Sequence, residues 1–290
     1  MNIQVWTDTD LHGAGATLLL KWLYKDAKAF NIQDVTESTL TGRFKGALHT
    51  LDHYDRVYIV DLDLTEDQIQ LVDRSNVVVI DSHTDHAANK DLYKQAKVII
   101  DSEVYSCATL IYEKFKSHLS HLTDQQLELL NCISGYDWYN ADDKDSLKLN
   151  AIYYNLNTPK TENFINAFDT GFRDFTIHEK NAIKLYFKKF KEQLTNDTFK
   201  GKIKDYNIVA TFANYAINEL AHYLINKHNA DISIIVNAQS KTVSFRRSKQ
   251  CKADVSLLAQ KLCNGGGHAA AAGGKLTNEF AILTKQFTPC

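Results

Sequence analysis

Two short runs, Val57-Tyr-Ile-Val-Asp61 and Val77-Val-Val-Ile-Asp81, constrain this chain more than anything else in it. Each is almost unbroken in apolar, mostly β-branched residues, as in a strand buried on both faces of a parallel sheet with helices packed on either side. The segment between them supplies a helix start. Thr65-Glu-Asp-Gln68 places a hydroxyl at an N-cap position and a Gln three residues later, the reciprocal capping pattern. The two runs therefore read as a βαβ crossover, and both strands end in Asp.

The alternation continues on either side. Ile3 to Thr7 reads as a first strand, and the stretch from Ala16 to Ala29 carries Leu, Trp and Tyr at helical spacing. Lys97 to Asp101 supplies another strand, and Cys107 to Lys116 and Asp124 to Ser134 read as helices. Residues 1–156 are thus expected to form a doubly wound α/β domain with a mainly parallel sheet. Residues 157–204 lack strand signal and place Ile183, Leu185, Phe187 and Phe190 among lysines, the pattern of a helical connector. Within 205–290, Asn207 to Phe212, Ile232 to Val236, Thr242 to Phe245 and Phe280 to Thr284 are strand-like. Helical patterns around Tyr215 to Lys227 and Val255 to Leu262 interleave with them, so a second, smaller α/β domain is expected. A chain of 290 residues accommodates two domains of ordinary size, and 44% hydrophobic with 23% charged residues is the balance of a chain that buries a real core.

A formal net charge of −2 argues against broad coating of duplex nucleic acid or an anionic membrane, but leaves room for a small anionic substrate in a local site. The N-terminus lacks a basic and long apolar leader and no apolar run is long enough to span a bilayer, so a cytoplasmic location without membrane association is expected. The five cysteines, Cys107, Cys132, Cys251, Cys263 and Cys290, are odd in number and scattered, which reads as reduced thiols rather than a zinc ribbon or redox pair.

Acidic and imidazole side chains collect at the strand ends, where an open α/β sheet places its ligand crevice. Asp8, Asp10 and His12 follow the first strand, Asp61 closes the next, Asp81 and His83 close another, and Asp137 follows a helix. Any one such Asp is explained as well by a turn or a helix cap. Together they point to a metal site, and carboxylates with a few imidazoles suit Mn or Mg better than zinc. Two such ions, roughly 3.5–4 Å apart, can activate a water and stabilise both entering and leaving oxygens of a phosphoryl group.

These residues resemble the DHH phosphoesterase superfamily. Its first motif, (His or Asp)-x-Asp-x-Asp-Gly, is similar to Asp8-Thr-Asp-Leu-His-Gly13. Its second-motif Asp looks like Asp61, its Asp-His-His looks like Asp81-Ser-His83, and its fourth-motif Asp looks like Asp137. Asn264-Gly-Gly-Gly-His-Ala-Ala-Ala-Ala-Gly-Gly274 is similar to the GGGH signature of the associated DHHA1 domain, and Val243-Ser-Phe-Arg246 resembles that domain's substrate-facing strand. Two departures stand out: His12 replaces the third Asp of the first motif, and Ser82 replaces the first His of the triplet.

The resemblance implies two divalent ions, one held by Asp8, Asp10 and Asp61 and the other by His12, Asp61 and Asp137, with the second site open to weakening by Ser82. It implies catalytic roles for Asp81 and His83, the latter facing the phosphate. Arg246, Gly265, Gly266, Gly267 and His268 are the implied substrate-binding residues. Arg246 and Arg247 are adjacent on a strand and face opposite ways, so one lines the cleft, and Arg246 is favoured. The nearest branch is that of stand-alone nanoRNases and cyclic-nucleotide phosphodiesterases, with short single-stranded RNA or DNA as partner. A RecJ-like single-strand DNA 5′-exonuclease, a cyclic dinucleotide or nucleoside bisphosphate phosphohydrolase, and a catalytically weak nucleotide-binding module are the alternatives.

Overall fold

The computed structural model describes residues 1–83, 86–87, 89–101, 106–137 and 144–290, with the side chains of residues 37, 38, 136, 137, 144 and 268 outside that description. The chain divides into two compact units, Met1–Ile183 and Lys184–Cys290.

The first unit runs β1 (Asn2–Asp8), α1 (Leu11–Leu23), β2 (Ala29–Val35), α2 (Glu37–Ala47), β3 (Arg56–Val60), α3 (Glu66–Val72), β4 (Val77–Asp81), β5 (Lys97–Ile100), then α4 (Cys107–Phe115), α5 (Asp124–Asp137), α6 (Lys144–Asn155) and α7 (Lys160–Phe168). Its five strands are ordered β2-β1-β3-β4-β5, all parallel. Both faces are covered, which is why Val57 to Val60 of β3 and Val77 to Ile80 of β4 are apolar. Tyr58, Val60, Val78 and Ile80 pack into a core with Leu18 of α1, Ile111 of α4 and Phe164 of α7. Val57, Ile59, Val77 and Val79 pack on the other face with Phe44 and Ile69. The capping box at α3 is present, with Thr65 N–H donating to Gln68 Oε1 at 2.9 Å.

The chain winds in opposite directions from β1 to β2 and from β1 to β3, so β1 and β3 meet at the topological switch point, the place where sheets of this order bind ligands.

The second unit contains β6 (Thr198–Ile203), β7 (Tyr206–Phe212), β8 (Ile232–Asn237), β9 (Thr242–Arg247), β10 (Gly266–His268), β11 (Ala271–Lys275) and the short β12 (Thr288–Pro289). They form one sheet ordered β10-β11-β9-β8-β7-β6-β12, in which β7 and β8 are parallel and the other neighbours antiparallel. Helix α8 (Ile177–Gln193) crosses the division between the units. Helix α9 (Ile217–His228) covers one face of the second sheet, and α10 (Val255–Cys263) and α11 (Asn278–Thr284) belong to the other core.

Three expectations differ from what is found. The helix read through to Ala29 stops at Leu23, with Tyr24 N–H closing on Leu20 O, and Ala29 opens β2, an edge strand whose half-exposed polar residues hide its period. Phe280 to Thr284 is helical rather than a strand: Thr277 Oγ1 caps the Phe280 N–H at 3.2 Å, and Phe280 and Leu283, three apart, share the face turned to the core. The stretch read as a connector is shared between the units. Phe164, Ile165 and Phe168 of α7 lie in the first core, whereas Thr198–Ile203 pairs with β7 in the second sheet.

Candidate metal centre

The site is assembled from the carboxyl ends of β1, β3 and β4. β1 ends on Asp8, and the chain then turns at once into α1. Asp10 caps that helix, its Oδ1 accepting the Gly13 N–H at 2.8 Å. Glycine at position 13 lets the helix start hard against the strand, since a Cβ there would lie 2.4 Å from Thr7 Oγ1 and 2.5 Å from the Asp8 carbonyl oxygen. His12 follows in the first turn, with Nδ1 3.6 Å from Asp10 Oδ2.

Asp61 follows β3 with a φ of 56°, a left-handed conformation that Asp tolerates better than most residues but that still carries strain. Its backbone N–H donates to Ile80 O at 3.2 Å and its side chain is buried. Asp81, at the end of β4, is fully buried. Its Oδ1 is 2.7 Å from His83 Nδ1 and its Oδ2 is 2.8 Å from His86 Nδ1. Ser82 between them is buried as well.

Two sets of ligand atoms each lie within 4.8 Å of one another: those of Asp10, His12 and Asp61, and those of Asp61, Asp81 and His83. Asp61 belongs to both. Asp8 stands beside the first set, Oδ1 accepting the Thr9 N–H at 2.7 Å, and feels the charges of Asp10, His83 and His12. Asp137 is the last residue of α5, and its side chain lies outside the described residues.

The crowding shows in the protonation equilibria. Burial, then the neighbouring Asp10 charge, push the Asp8 carboxyl up to about 7. The same two causes, in the same order, push Asp61 well above the usual carboxylate range. Burial would also raise Asp10, but the hydrogen bond and charge of His12 outweigh it and hold Asp10 below its ordinary value. Burial opposes ionisation of Asp81 too, and the two imidazoles overcome it; in turn the Asp81 carboxylate holds His83 well above its usual value against burial. A buried carboxylate cluster of this kind, with hard oxygen donors and imidazole, fits a divalent ion such as Mn or Mg.

His86 and Tyr93, which join this cluster, had only a weak sequence signal: an imidazole three residues after His83, and an aromatic residue among many.

In the second unit, Arg246 Nε donates to Asn218 Oδ1 at 2.9 Å and its Nη1 to Phe245 O at 2.9 Å. Arg247 is tied into the structure, with Nε on Ala269 O at 3.1 Å and Nη1 on Cys251 O, so its guanidinium braces the turn between β10 and β11. The glycines of that hairpin serve close packing. A Cβ at Gly265 would lie 1.9 Å from Gly273 O, and Gly267 has a φ of +131° with Ala271 O 2.7 Å from a Cβ position. Gly266 pairs with Gly273 across the hairpin. His268 ends β10, and its side chain lies outside the described residues.

Residues 206–287 match the DHHA1 domain family. No curated protein matches the sequence. Solved structures of similar fold include a pGpG-specific phosphodiesterase, PggH, from Vibrio cholerae, with TM-score 0.58 and 18% identity over 98% of this chain and 96% of that one. An exopolyphosphatase-related protein from Bacteroides fragilis has TM-score 0.56 and 15% identity over 98% of this chain and 89% of that one. RecJ from Thermus thermophilus, in complex with Mn2+, has TM-score 0.58 and 13% identity over 98% of this chain and 51% of that one. The chain thus shares the fold of these structures, and the DHHA1 family match lies within its second unit.

Proposed function

We propose that this chain belongs to the DHH/DHHA1 phosphoesterase superfamily and is a metal-dependent phosphodiesterase that hydrolyses short oligonucleotides. One observation carries the reading: Asp61, at the β1/β3 switch point, has ligand atoms within 4.8 Å of those of Asp10 and His12 in one group and of those of Asp81 and His83 in a second. A carboxylate shared in this way suits a bridge between two ions.

Asp8, Asp10, His12, Asp61 and Asp137 are the residues that would hold the ions, with Mn favoured and Mg the alternative. When bound, such ions supply an activated water and neutralise charge on phosphoryl oxygens. The chain's own contribution lies around them. Asp81 fixes His83 through Nδ1, so that a raised-pKa imidazole donates from Nε2 to a phosphoryl oxygen as charge develops there. Asp10 and the start of α1 are held together by the Gly13 N–H, which keeps Asp10 in place before any ion arrives. Arg246, steadied by Asn218, offers a guanidinium for a terminal phosphate, with Gly265, Gly266, Gly267 and His268 as its neighbours in that role. A small substrate is supported by the likeness, over 96% of its length, to a phosphodiesterase named for pGpG, a linear dinucleotide.

The test is the initial hydrolysis rate with Mn2+ over a length series from dinucleotide to long single strands, in RNA and DNA, with cyclic nucleotides alongside. A steep decline with length is expected. Undiminished cutting of long DNA would favour the exonuclease reading, and saturable nucleotide binding without turnover would favour a binding module.

A further inference from the structure

Asp81 is wholly removed from solvent, and each of its oxygens carries a different imidazole, His83 on Oδ1 and His86 on Oδ2. His86 is also fully buried, and its Nε2 meets the Tyr93 hydroxyl at 2.7 Å, with the two rings 5.9 Å apart. The donors along this chain run in one direction. A carboxylate only accepts, and a neutral imidazole donates from one nitrogen and accepts at the other. His86 therefore gives its Nδ1–H to Asp81 and accepts the Tyr93 O–H at Nε2. His83, on the other oxygen, must likewise carry a proton on Nδ1, and when the ring is neutral that is its one proton.

An aspartate carboxylate is loosely defined about χ2, and a single partner leaves it free to rotate. A second buried donor on the opposite oxygen removes that freedom. Outer partners of this sort fix the tautomer and ring orientation of the group that meets a metal or substrate.

We infer that His86 and Tyr93 are positioning residues: by clamping Asp81 Oδ2 they hold Oδ1 on His83 Nδ1, so that Nε2 is the His83 nitrogen that serves the site. The inference rests on His83 acting at the proposed centre. Its consequence for His83 itself, though, is readable without metal or turnover.

The test uses the full chain and three substitutions. His86→Asn retains an N–H donor near the position of Nδ1, His86→Leu removes it, and Tyr93→Phe removes only the hydroxyl. Long-range 1H–15N spectra of the metal-free protein, with the His83 signals assigned by their loss in His83→Gln, report which ring nitrogen bears the proton. At a pH high enough to leave the ring neutral, wild type and His86→Asn are expected to show His83 protonated at Nδ1 in a single form, and His86→Leu a mixture that includes the Nε2–H tautomer. With Mn2+ and a dinucleotide, His86→Leu is expected to lose about 10- to 100-fold in kcat with KM little changed, and His86→Asn to recover most of it.

An unchanged His83 tautomer and unchanged kcat in folded His86→Leu would overturn the inference. Should His86→Leu not fold, Tyr93→Phe decides: partial tautomer mixing supports the clamp, and a spectrum and kcat identical to wild type contradict it. If the wild type turns over no phosphodiester, the proposed function fails, while the tautomer spectra still decide whether the clamp exists.

Discussion

His83 Nδ1 lies 2.7 Å from Asp81 Oδ1, a contact between a half-buried imidazole and a carboxylate with no exposure at all. Asp81 is thereby occupied in orienting its neighbour. The carboxylate that faces both sets of ligand atoms is Asp61.

Asp61 is buried among acids that repel it. Replacing it by Asn puts a group that is neutral at every pH in that cluster and removes the cost of burying or protonating an ionisable carboxyl there, so the metal-free Asp61→Asn protein is expected to melt about 2–4 °C above wild type. Mn2+ is expected to raise the Tm of wild type but not that of the variant, and dinucleotide hydrolysis should fall by about 100-fold or more. Thermal melts with and without Mn2+ check the first pair of outcomes. A variant that still gains stability from Mn2+ would remove Asp61 from the centre.

The raised Asp8 carboxyl sets a pH dependence. Its value moves from 3.8 to about 7 on folding, so between those pH values the native chain holds a proton that the unfolded chain has lost. Stability of the metal-free protein from this source is complete below 3.8 and is lost as pH rises through about 7. Ion binding must displace that proton. Titration calorimetry in buffers of different ionisation enthalpy should therefore show proton release with Mn2+ at pH 6 that diminishes by about pH 8. Buffer-independent heats would contradict the assignment.

Gly13 links the strand to the site. Gly13→Ala places a Cβ against Thr7 Oγ1 and the Asp8 carbonyl, both closer than a real carbon contact. A loss of about 1–3 kcal/mol in stability is expected, with weakened Mn2+ binding because the start of α1 carries Asp10 and His12. Denaturant melts and Mn2+ titration together check this. Stability lost with unchanged Mn2+ affinity would separate the helix start from the centre.

Arg246→Ala is expected to raise KM for a dinucleotide by about 10- to 100-fold with a smaller effect on kcat, the scale of a lost charged hydrogen bond. Steady-state kinetics decide this. Arg247→Ala should instead lower the stability of the second unit, because its guanidinium braces the β10–β11 turn.

The parallel sheet was legible because Val57–Val60 and Val77–Ile80 are apolar on both faces and each run leads directly into an Asp, and the capped helix between them fixed the crossover. β2 escaped notice because an edge strand carries polar residues at positions that neither a helical nor an alternating period predicts. Thr198–Ile203, with three lysine or glycine residues, gave no strand signal; its partner β7 makes it one. The strand-end acids and His83 were readable individually, since topology alone brings β1, β3 and β4 to one edge. What joins them was not readable: that Asp61 is shared depends on a left-handed backbone, and that Asp81 holds two imidazoles depends on His86 Nδ1 reaching its Oδ2.

The most direct test of the central claim is dinucleotide hydrolysis by metal-stripped protein as Mn2+ is restored. Turnover absent from the stripped protein, returning saturably with Mn2+ and failing to return in Asp61→Asn, is the expected result. Hydrolysis that persists after stripping, or that Asp61→Asn supports as well as wild type, would contradict the account.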